Sequence, residues 1–195
     1  IVYCYSGMGR VFQIQGQADS ALAYYRECAD LAEKLGMSDL AGGSYGNTGN
    51  VYAETGRIGE AIDMTYRSLA ILDRIKDHVG VAACLTTISE LKRASGDKEE
   101  GLRLLQRAYV LYKSADYRQG MMTAGSSIGG MLMDLGRPDS AVTMLENALA
   151  LEREGDVKDL MGRTLLTLGT VYRLVGRPTD AAKTLEEAII LARSE

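Results

Sequence analysis

The sequence predicts an all-α fold of about five helix-turn-helix repeats, ten helices in total, stacked as a solenoid. Three observations support this prediction: glycines that recur at a fixed step, apolar residues that keep the same step, and helical spacing within each copy. The glycines Gly16, Gly56, Gly96, Gly136 and Gly176 lie 40 residues apart. A fixed period of this length is typical of repeat architectures.

The apolar residues keep the register of the glycines. One column consists of Leu31, Ile71, Leu111, Leu151 and Leu191, and another of Val11, Val51, Leu91, Met131 and Val171. One hairpin cannot bury its apolar face alone, so neighbouring copies must stack on it. We therefore expect a single array over residues 1–195, with copies at about 1–40, 41–80, 81–120, 121–160 and 161–195.

Each copy has the pattern of two helices joined by a tight turn. Leu165, Leu168 and Tyr172 recur at steps of three and four, which marks one face of a helix. Gly176 can end that helix in a left-handed conformation, and Pro178 fits the first turn of the next one. The predicted first helices are 2–14, 42–54, 81–94, 121–134 and 161–174. The predicted second helices are 18–34, 58–74, 98–114, 138–154 and 178–193.

A column of small residues precedes each turn glycine by seven positions. Its members are Gly9, Gly49, Ser89, Gly129 and Gly169. A larger side chain at these positions would hold the two helices of a copy apart. We expect the paired helices to pack closely there.

Composition excludes several classes of protein. Hydrophobic residues make up 46% and charged residues 25%, which is ordinary for a folded protein. The net charge of −4 offers no basic surface for nucleic acid or an anionic membrane. No apolar run approaches the ~20 residues needed to cross a bilayer. We therefore expect a protein or peptide partner, with neither nucleic acid nor membrane.

The candidate reactive residues form no catalytic or metal-binding group. His78 is the one histidine, and it falls in a predicted loop between copies two and three, where a solvated side chain is expected. Gly7-Met8-Gly9 is too short for a dinucleotide-binding loop and follows no strand. We expect no metal, no cofactor and no enzymatic activity.

The cysteines and the first residue bear on localisation. Cys4, Cys28 and Cys84 are odd in number and include no close pair, which disfavours a disulfide framework and favours the cytoplasm. The chain begins with Ile1, and its start has a helical pattern without the features of a signal peptide. We interpret the chain as a fragment of a longer protein.

Copies two and five carry the residues that suggest a family. These are Gly49, Tyr52, Gly56, Ala61 and Ser68, and Gly169, Tyr172, Gly176, Ala181 and Ala188. The pattern resembles the tetratricopeptide repeat (TPR) family, and residues 43–71 are similar to the long-repeat TPRs of kinesin light chain and of a spindle-orientation adaptor. The usual TPR period is 34 residues. We expect the additional residues of the 40-residue period in longer second helices and in the loops between repeats.

The resemblance implies a right-handed superhelical solenoid whose first helices line a concave groove. Such a groove holds an extended peptide or a partner helix. The positions implied to face it are Tyr3, Ser6, Arg10 and Gln13; Gly46, Asn47, Asn50 and Glu54; Thr86, Glu90 and Arg93; Ser126, Met133 and Asp134; and Arg163, Thr167, Thr170 and Arg173.

Asn47 and Asn50 are the most specific of these candidates. Asparagines at corresponding positions of long-repeat relatives hold the ligand backbone, and an amide can donate and accept at once. The alternative is that the two asparagines only cap or solvate a glycine-rich helix. The arginines can pair with acidic ligand side chains, although the groove is mixed in sign.

These features favour a non-enzymatic scaffold that binds a peptide or partner segment in its groove. Two alternatives stay open. The array can be a sensory or regulatory segment of a larger bacterial signalling protein, such as a kinase, cyclase or transcription regulator. It can also be a self-associating module that forms a homodimer through exposed solenoid ends.

Overall fold

The computed structural model describes residues 1–193, and this part of the chain contains ten α-helices and no strand, which confirms the all-α prediction. The first helices of the five copies are α1 (Val2–Ile14), α3 (Ser38–Glu54), α5 (His78–Ala94), α7 (Arg118–Asp134) and α9 (Lys158–Leu174). The second helices are α2 (Ala18–Lys34), α4 (Ile58–Arg74), α6 (Lys98–Ser114), α8 (Pro138–Glu154) and α10 (Pro178–Arg193). None of the described helices combines the length and the apolar content needed to cross a bilayer.

The second helices have their predicted bounds, but the first helices of copies two to five begin three or four residues earlier than predicted. The reason is that the connection between copies is a turn of only three residues. The prediction of a loop at His78 is therefore wrong, because His78 is the first residue of α5. Asp77 caps this helix, and its Oδ1 accepts a hydrogen bond of 2.9 Å from the Gly80 N–H.

Both turns of a copy place their middle residue in the left-handed region. Gly16 has a φ of 72° within copy one, and Gly36 has a φ of 69° between copies one and two. The Gln17 N–H donates to the Phe12 carbonyl at 2.9 Å, which closes the end of α1.

The geometry of the turns fixes where the long period comes from. A full copy consists of two 17-residue helices and two three-residue turns. The prediction that part of the additional residues lies in the loops between repeats is therefore wrong. Both helices of a full copy have the same length.

The column of small residues that precedes each turn glycine packs closely against the paired helix, as predicted. An ideal Cβ at Gly49 would lie 2.5 Å from Thr65 Oγ1, and one at Gly129 would lie 2.4 Å from Leu145 Cγ. A Cβ at either position would have to displace the facing side chain.

The chain divides into two compact units, Ile1–Ser95 and Gly96–Glu195. In the first unit α3 packs beside both α1 and α5, whereas α2 and α4 do not approach each other closely over the described residues. In the second unit α7 packs beside α9. The first helices of the first unit thus lie side by side while its second helices splay apart, which places the first helices on its inner side. A single array over the whole chain stays a prediction.

Candidate functional site

A cavity of about 230 Å³ lies between α3 and α5 on the inner side of the first unit. It exists because the residues along its walls have little or no side chain. These small residues are Gly43, Gly46, Gly80 and Ala83. Asn47 and Asn50 of α3 and Thr87 of α5 add polar groups to the walls. Asp39 and Asp77 add two carboxylates to the lining. The cavity is therefore a narrow slot with polar walls.

The floor of this slot is uncharged. Ser68 Oγ donates to the Gly42 carbonyl at 2.7 Å and lies 3.2 Å from Cys84 Sγ. Burial raises the pKa of the Cys84 thiol, while its hydrogen bond with Ser68 acts in the opposite direction. The thiol accordingly stays protonated near neutral pH, and it supplies no activated nucleophile.

Asn47 and Asn50 have unused hydrogen-bonding capacity. Asn47 is half-buried and Asn50 is exposed. Neither side-chain amide makes a hydrogen bond within residues 1–193. Neither residue caps α3, since its N-cap is Met37 and its C-cap is Thr55. Each amide can therefore offer both donors and acceptors to a ligand.

A second cavity, of about 540 Å³, lies between α1 and α3. It brings together five predicted groove residues: Ser6, Arg10, Gln13, Asn47 and Glu54. Asn47 lines both cavities, so the two form neighbouring parts of one inner surface.

Gln13 organises the polar groups of the second cavity. Its Nε2 donates to Glu54 Oε1 at 2.7 Å, and its Oε1 accepts from the Tyr25 hydroxyl at 2.8 Å. Burial raises the pKa of Tyr25, which keeps its hydroxyl a donor, while the nearby Arg10 lowers it. This end of the groove is mixed in charge, as the sequence predicted.

The other predicted residues of the first unit lie outside the walls of these two cavities. Tyr3 is exposed on α1. The Thr86 hydroxyl donates to the Ala82 carbonyl of its own helix at 2.9 Å, and Glu90 forms an ion pair of 3.5 Å with Arg93. Thr87, which was not among the predicted groove residues, takes the wall position instead.

In the second unit the structure places Ser126 in a buried polar cluster. Its hydroxyl donates to Glu152 Oε1 at 2.7 Å, and the Thr164 hydroxyl donates to the same oxygen at 2.9 Å. Glu152 is fully buried, and its Oε2 has no hydrogen-bond partner in the described part of the chain.

Sequence reasoning missed this cluster. The signal that could have revealed it is the column of Glu152, whose other members in the first three copies are Ala32, Leu72 and Tyr112. A carboxylate in an otherwise apolar column indicates a buried polar contact.

The remaining predicted residues of the second unit lie on α7 and α9. Met133 and Thr167 are half-buried, and Asp134, Arg163, Thr170 and Arg173 are exposed. The Thr167 hydroxyl donates to the Arg163 carbonyl and the Thr170 hydroxyl to the Leu166 carbonyl, both at 3.0 Å. These two hydroxyls are thus engaged by their own helix.

The splay of α2 and α4 opens a furrow on the other side of the first unit, with cavities of about 530 and 340 Å³. Part of its polar lining is already paired. The Arg67 guanidinium lies 4.7 Å from the centre of the Tyr45 ring, and the Tyr45 hydroxyl donates to Glu33 Oε1 at 2.9 Å. Arg26, Asp30 and Arg74 also line the furrow, so it presents further charged groups to a ligand.

Comparison with solved structures shows the fold. BtubC (BKLC) from P. vanneervenii is 23% identical, with a TM-score of 0.87, and the match covers 97% of this chain and 79% of that one. A kinesin light chain-like protein from Podosopora anserina with nearly identical TPR-like repeats is 17% identical, with a TM-score of 0.77 and coverage of 97% and 93%. A Rap protein complexed with Competence and Sporulation Factor is 16% identical, with a TM-score of 0.78 and coverage of 98% and 54%.

Comparison of the sequence gives the family. No curated protein matches the chain. The tetratricopeptide repeat family model matches residues 2–74, 40–114 and 121–194, and so accounts for most of the chain. The long-repeat resemblance inferred from the glycine, tyrosine and alanine columns is confirmed. The chain belongs to the tetratricopeptide repeat family.

Proposed function

We propose that the chain is a protein-interaction module that binds an extended peptide along the inner groove of its first unit. The observation that carries the proposal is the pair of unused amides, Asn47 and Asn50, on the wall of a slot lined by small residues. Main-chain hydrogen bonds give affinity in this mode of recognition, and shallow pockets give selectivity.

The spacing of the two asparagines suits an extended backbone. They lie three positions apart on α3, so their Cβ atoms are separated by about 5–6 Å on one face. Two residues of an extended chain span about 6.6 Å. The two flexible amides can therefore reach peptide groups two residues apart on the ligand.

The walls define the ligand further. The slot between α3 and α5 is narrow and its floor is uncharged, but the Asp39 and Asp77 carboxylates also line it, which favours small ligand side chains that are neutral or basic. The adjoining cavity exposes Arg10 and Glu54 and accepts polar side chains of either sign. The Rap protein of similar fold was solved with Competence and Sporulation Factor, which supports a binding role for such arrays. The regulatory alternative stays a prediction.

The experiment starts from peptides selected on the chain from a random library displayed on phage. Their affinities are then measured by fluorescence anisotropy for the chain and for the variant with both Asn47→Ala and Asn50→Ala. Each lost hydrogen bond costs about 0.5–1.5 kcal/mol, so we expect the double variant to bind roughly tenfold more weakly.

Asn147→Ala is the matched control, because Asn147 is exposed on α8 of the second unit. It should leave peptide affinity unchanged. Selected peptides that bind the double variant as tightly as the parent chain would contradict the proposal, and so would a selection that yields no binding peptide.

A further inference from the structure

The furrow between α2 and α4 has the form of a groove for a third helix. Its walls are these two helices, which do not approach each other closely over the described residues, and its floor is one face of α3. The floor residues recur along α3 at steps of four and three, and they are Ala41, Tyr45, Thr48 and Tyr52. This floor is about 16 Å long, which is the length of about three turns of an α-helix.

The two walls of the furrow differ in charge. The α4 residues that line the larger cavity share one face of the helix, with an arginine at each end of the stripe, and they are Arg67, Ala70, Ile71 and Arg74. Among the described residues, no carboxylate of α4 lines either cavity. The α2 wall is mixed in sign, and its charged residues are Arg26, Asp30 and Glu33. We therefore expect an acidic ligand to lie against α4 and not against α2.

Arg67 is held in place by an aromatic ring and has unused donors. Its guanidinium lies 4.7 Å from the centre of the Tyr45 ring. Arg57 and Arg177 also lie over tyrosine rings, but each of them forms in addition an ion pair of 2.7 Å with a nearby carboxylate. Within residues 1–193, neither Arg67 nor Arg74 forms an ion pair. A guanidinium stacked on a ring keeps its N–H edge free for a carboxylate.

We propose that the furrow binds an amphipathic helix of a partner protein that carries two carboxylates seven residues apart. Arg67 and Arg74 are also seven positions apart, which corresponds to about 10.5 Å along the axis of α4. Each carboxylate can therefore meet one guanidinium, while apolar ligand residues between them pack on Ala70 and Ile71. Residues on one face of an extended strand are about 6.6 or 13 Å apart and match this spacing less well. The proposal does not depend on peptide binding in the inner groove.

A stapled helical peptide of about 14 residues tests the proposal, since it covers the length of the floor. It carries glutamate at positions 3 and 10, leucine at positions 6 and 7, alanine or glutamine elsewhere, and a fluorescein label. We expect saturable binding by fluorescence anisotropy that weakens as the NaCl concentration rises, because salt screens charge pairs at a surface. A peptide with glutamine in place of both glutamates should bind roughly fivefold more weakly.

Variants of the chain locate the binding surface. The variant with both Arg67→Gln and Arg74→Gln should bind the glutamate peptide roughly fivefold more weakly than the parent chain does. The matched control carries Arg107→Gln and Lys113→Gln, two exposed positions on α6, and removes the same charge. It should leave the affinity unchanged. The variant that lacks both groove amides should also bind this peptide normally, which separates the furrow from the inner groove.

An exchange of charge tests the direct contact. Arg74→Glu should weaken binding of the glutamate peptide, and a peptide with lysine at either position 3 or position 10 should restore it. The position that restores binding gives the direction of the ligand helix. Three results would overturn the proposal: no saturable binding of the glutamate peptide, equal affinity in the parent chain and the variant without Arg67 and Arg74, or no restored binding with either lysine peptide.

Discussion

Neighbouring residues of one helix can have opposite effects on packing, and Gly129 and Gly130 show this. A Cβ at Gly129 would overlap Leu145, which is fully buried, whereas nothing lies within 4 Å of a Cβ at Gly130. The first glycine is required by the close approach of α7 and α8. The second only lowers the helix propensity of α7.

We predict that Gly129→Ala lowers the free energy of unfolding by about 1–3 kcal/mol, because the new methyl group overpacks the core. Gly130→Ala should raise it by about 0.5–1 kcal/mol, because alanine is the better helix former. Urea unfolding followed by circular dichroism measures both. A stability loss at Gly130 as large as that at Gly129 would show that the clash is not the cause.

Tyr172 links stability to alkaline pH. Burial is the main cause that raises the pKa of Tyr172 from 10.0 to about 12. The second cause is the hydrogen bond of 2.6 Å that its hydroxyl donates to Glu146. The contribution of the neutral phenol to stability is complete below pH 10, where the unfolded chain is also protonated. It is lost as the pH rises from 10 to 12.

We predict that the free energy of unfolding falls less between pH 10 and 12 in the Tyr172→Phe variant than in the parent chain. Urea unfolding at a series of pH values provides the measurement. The two proteins should show parallel pH dependence below pH 9. A fall of equal steepness in the variant above pH 10 would contradict the assignment.

Among the structural elements, the turns show why part of the fold was predicted and part was missed. The glycine at the middle of each turn within a copy is visible in the sequence. Between copies the same left-handed position is held by Gly36 in one turn, but by Lys76, Asp116 and Asp156 in the others. These three residues are weaker turn signals than glycine, which explains why the starts of α5, α7 and α9 were predicted too late. The start of α3 was predicted too late although Gly36 precedes it.

Lys76 can be used to measure what a non-glycine residue costs at the left-handed position of the turn. The φ of Lys76 is 58°, and this left-handed conformation costs a residue with a Cβ about 1–2 kcal/mol. Glycine avoids that cost but loses more backbone entropy on folding, so replacement by glycine recovers only part of it. We predict that Lys76→Gly stabilises the chain by about 0.5 kcal/mol and that Gly36→Ala destabilises it. Thermal unfolding compares the two. A lower melting temperature for Lys76→Gly would contradict this account of the turn.

For the molecule as a whole, the 40-residue period was enough to predict the helix content, the five second helices and the close packing at the small column. The site was less predictable, because its lining depends on how each helix is rotated. Thr87 therefore lines the slot where Thr86 was expected. The cluster around Glu152 joins α7, α8 and α9, and no pattern within one helix reveals such a contact.

The central claim is that the inner groove of the first unit binds an extended peptide. The chain has three asparagines, Asn47, Asn50 and Asn147, so labelling their side-chain amides with ¹⁵N gives three pairs of NH2 signals, one of which is an internal control. On titration with a library-selected peptide, we predict that the Asn47 and Asn50 signals shift while the Asn147 signal stays in place. Saturable binding that leaves the first two signals unmoved would contradict the claim.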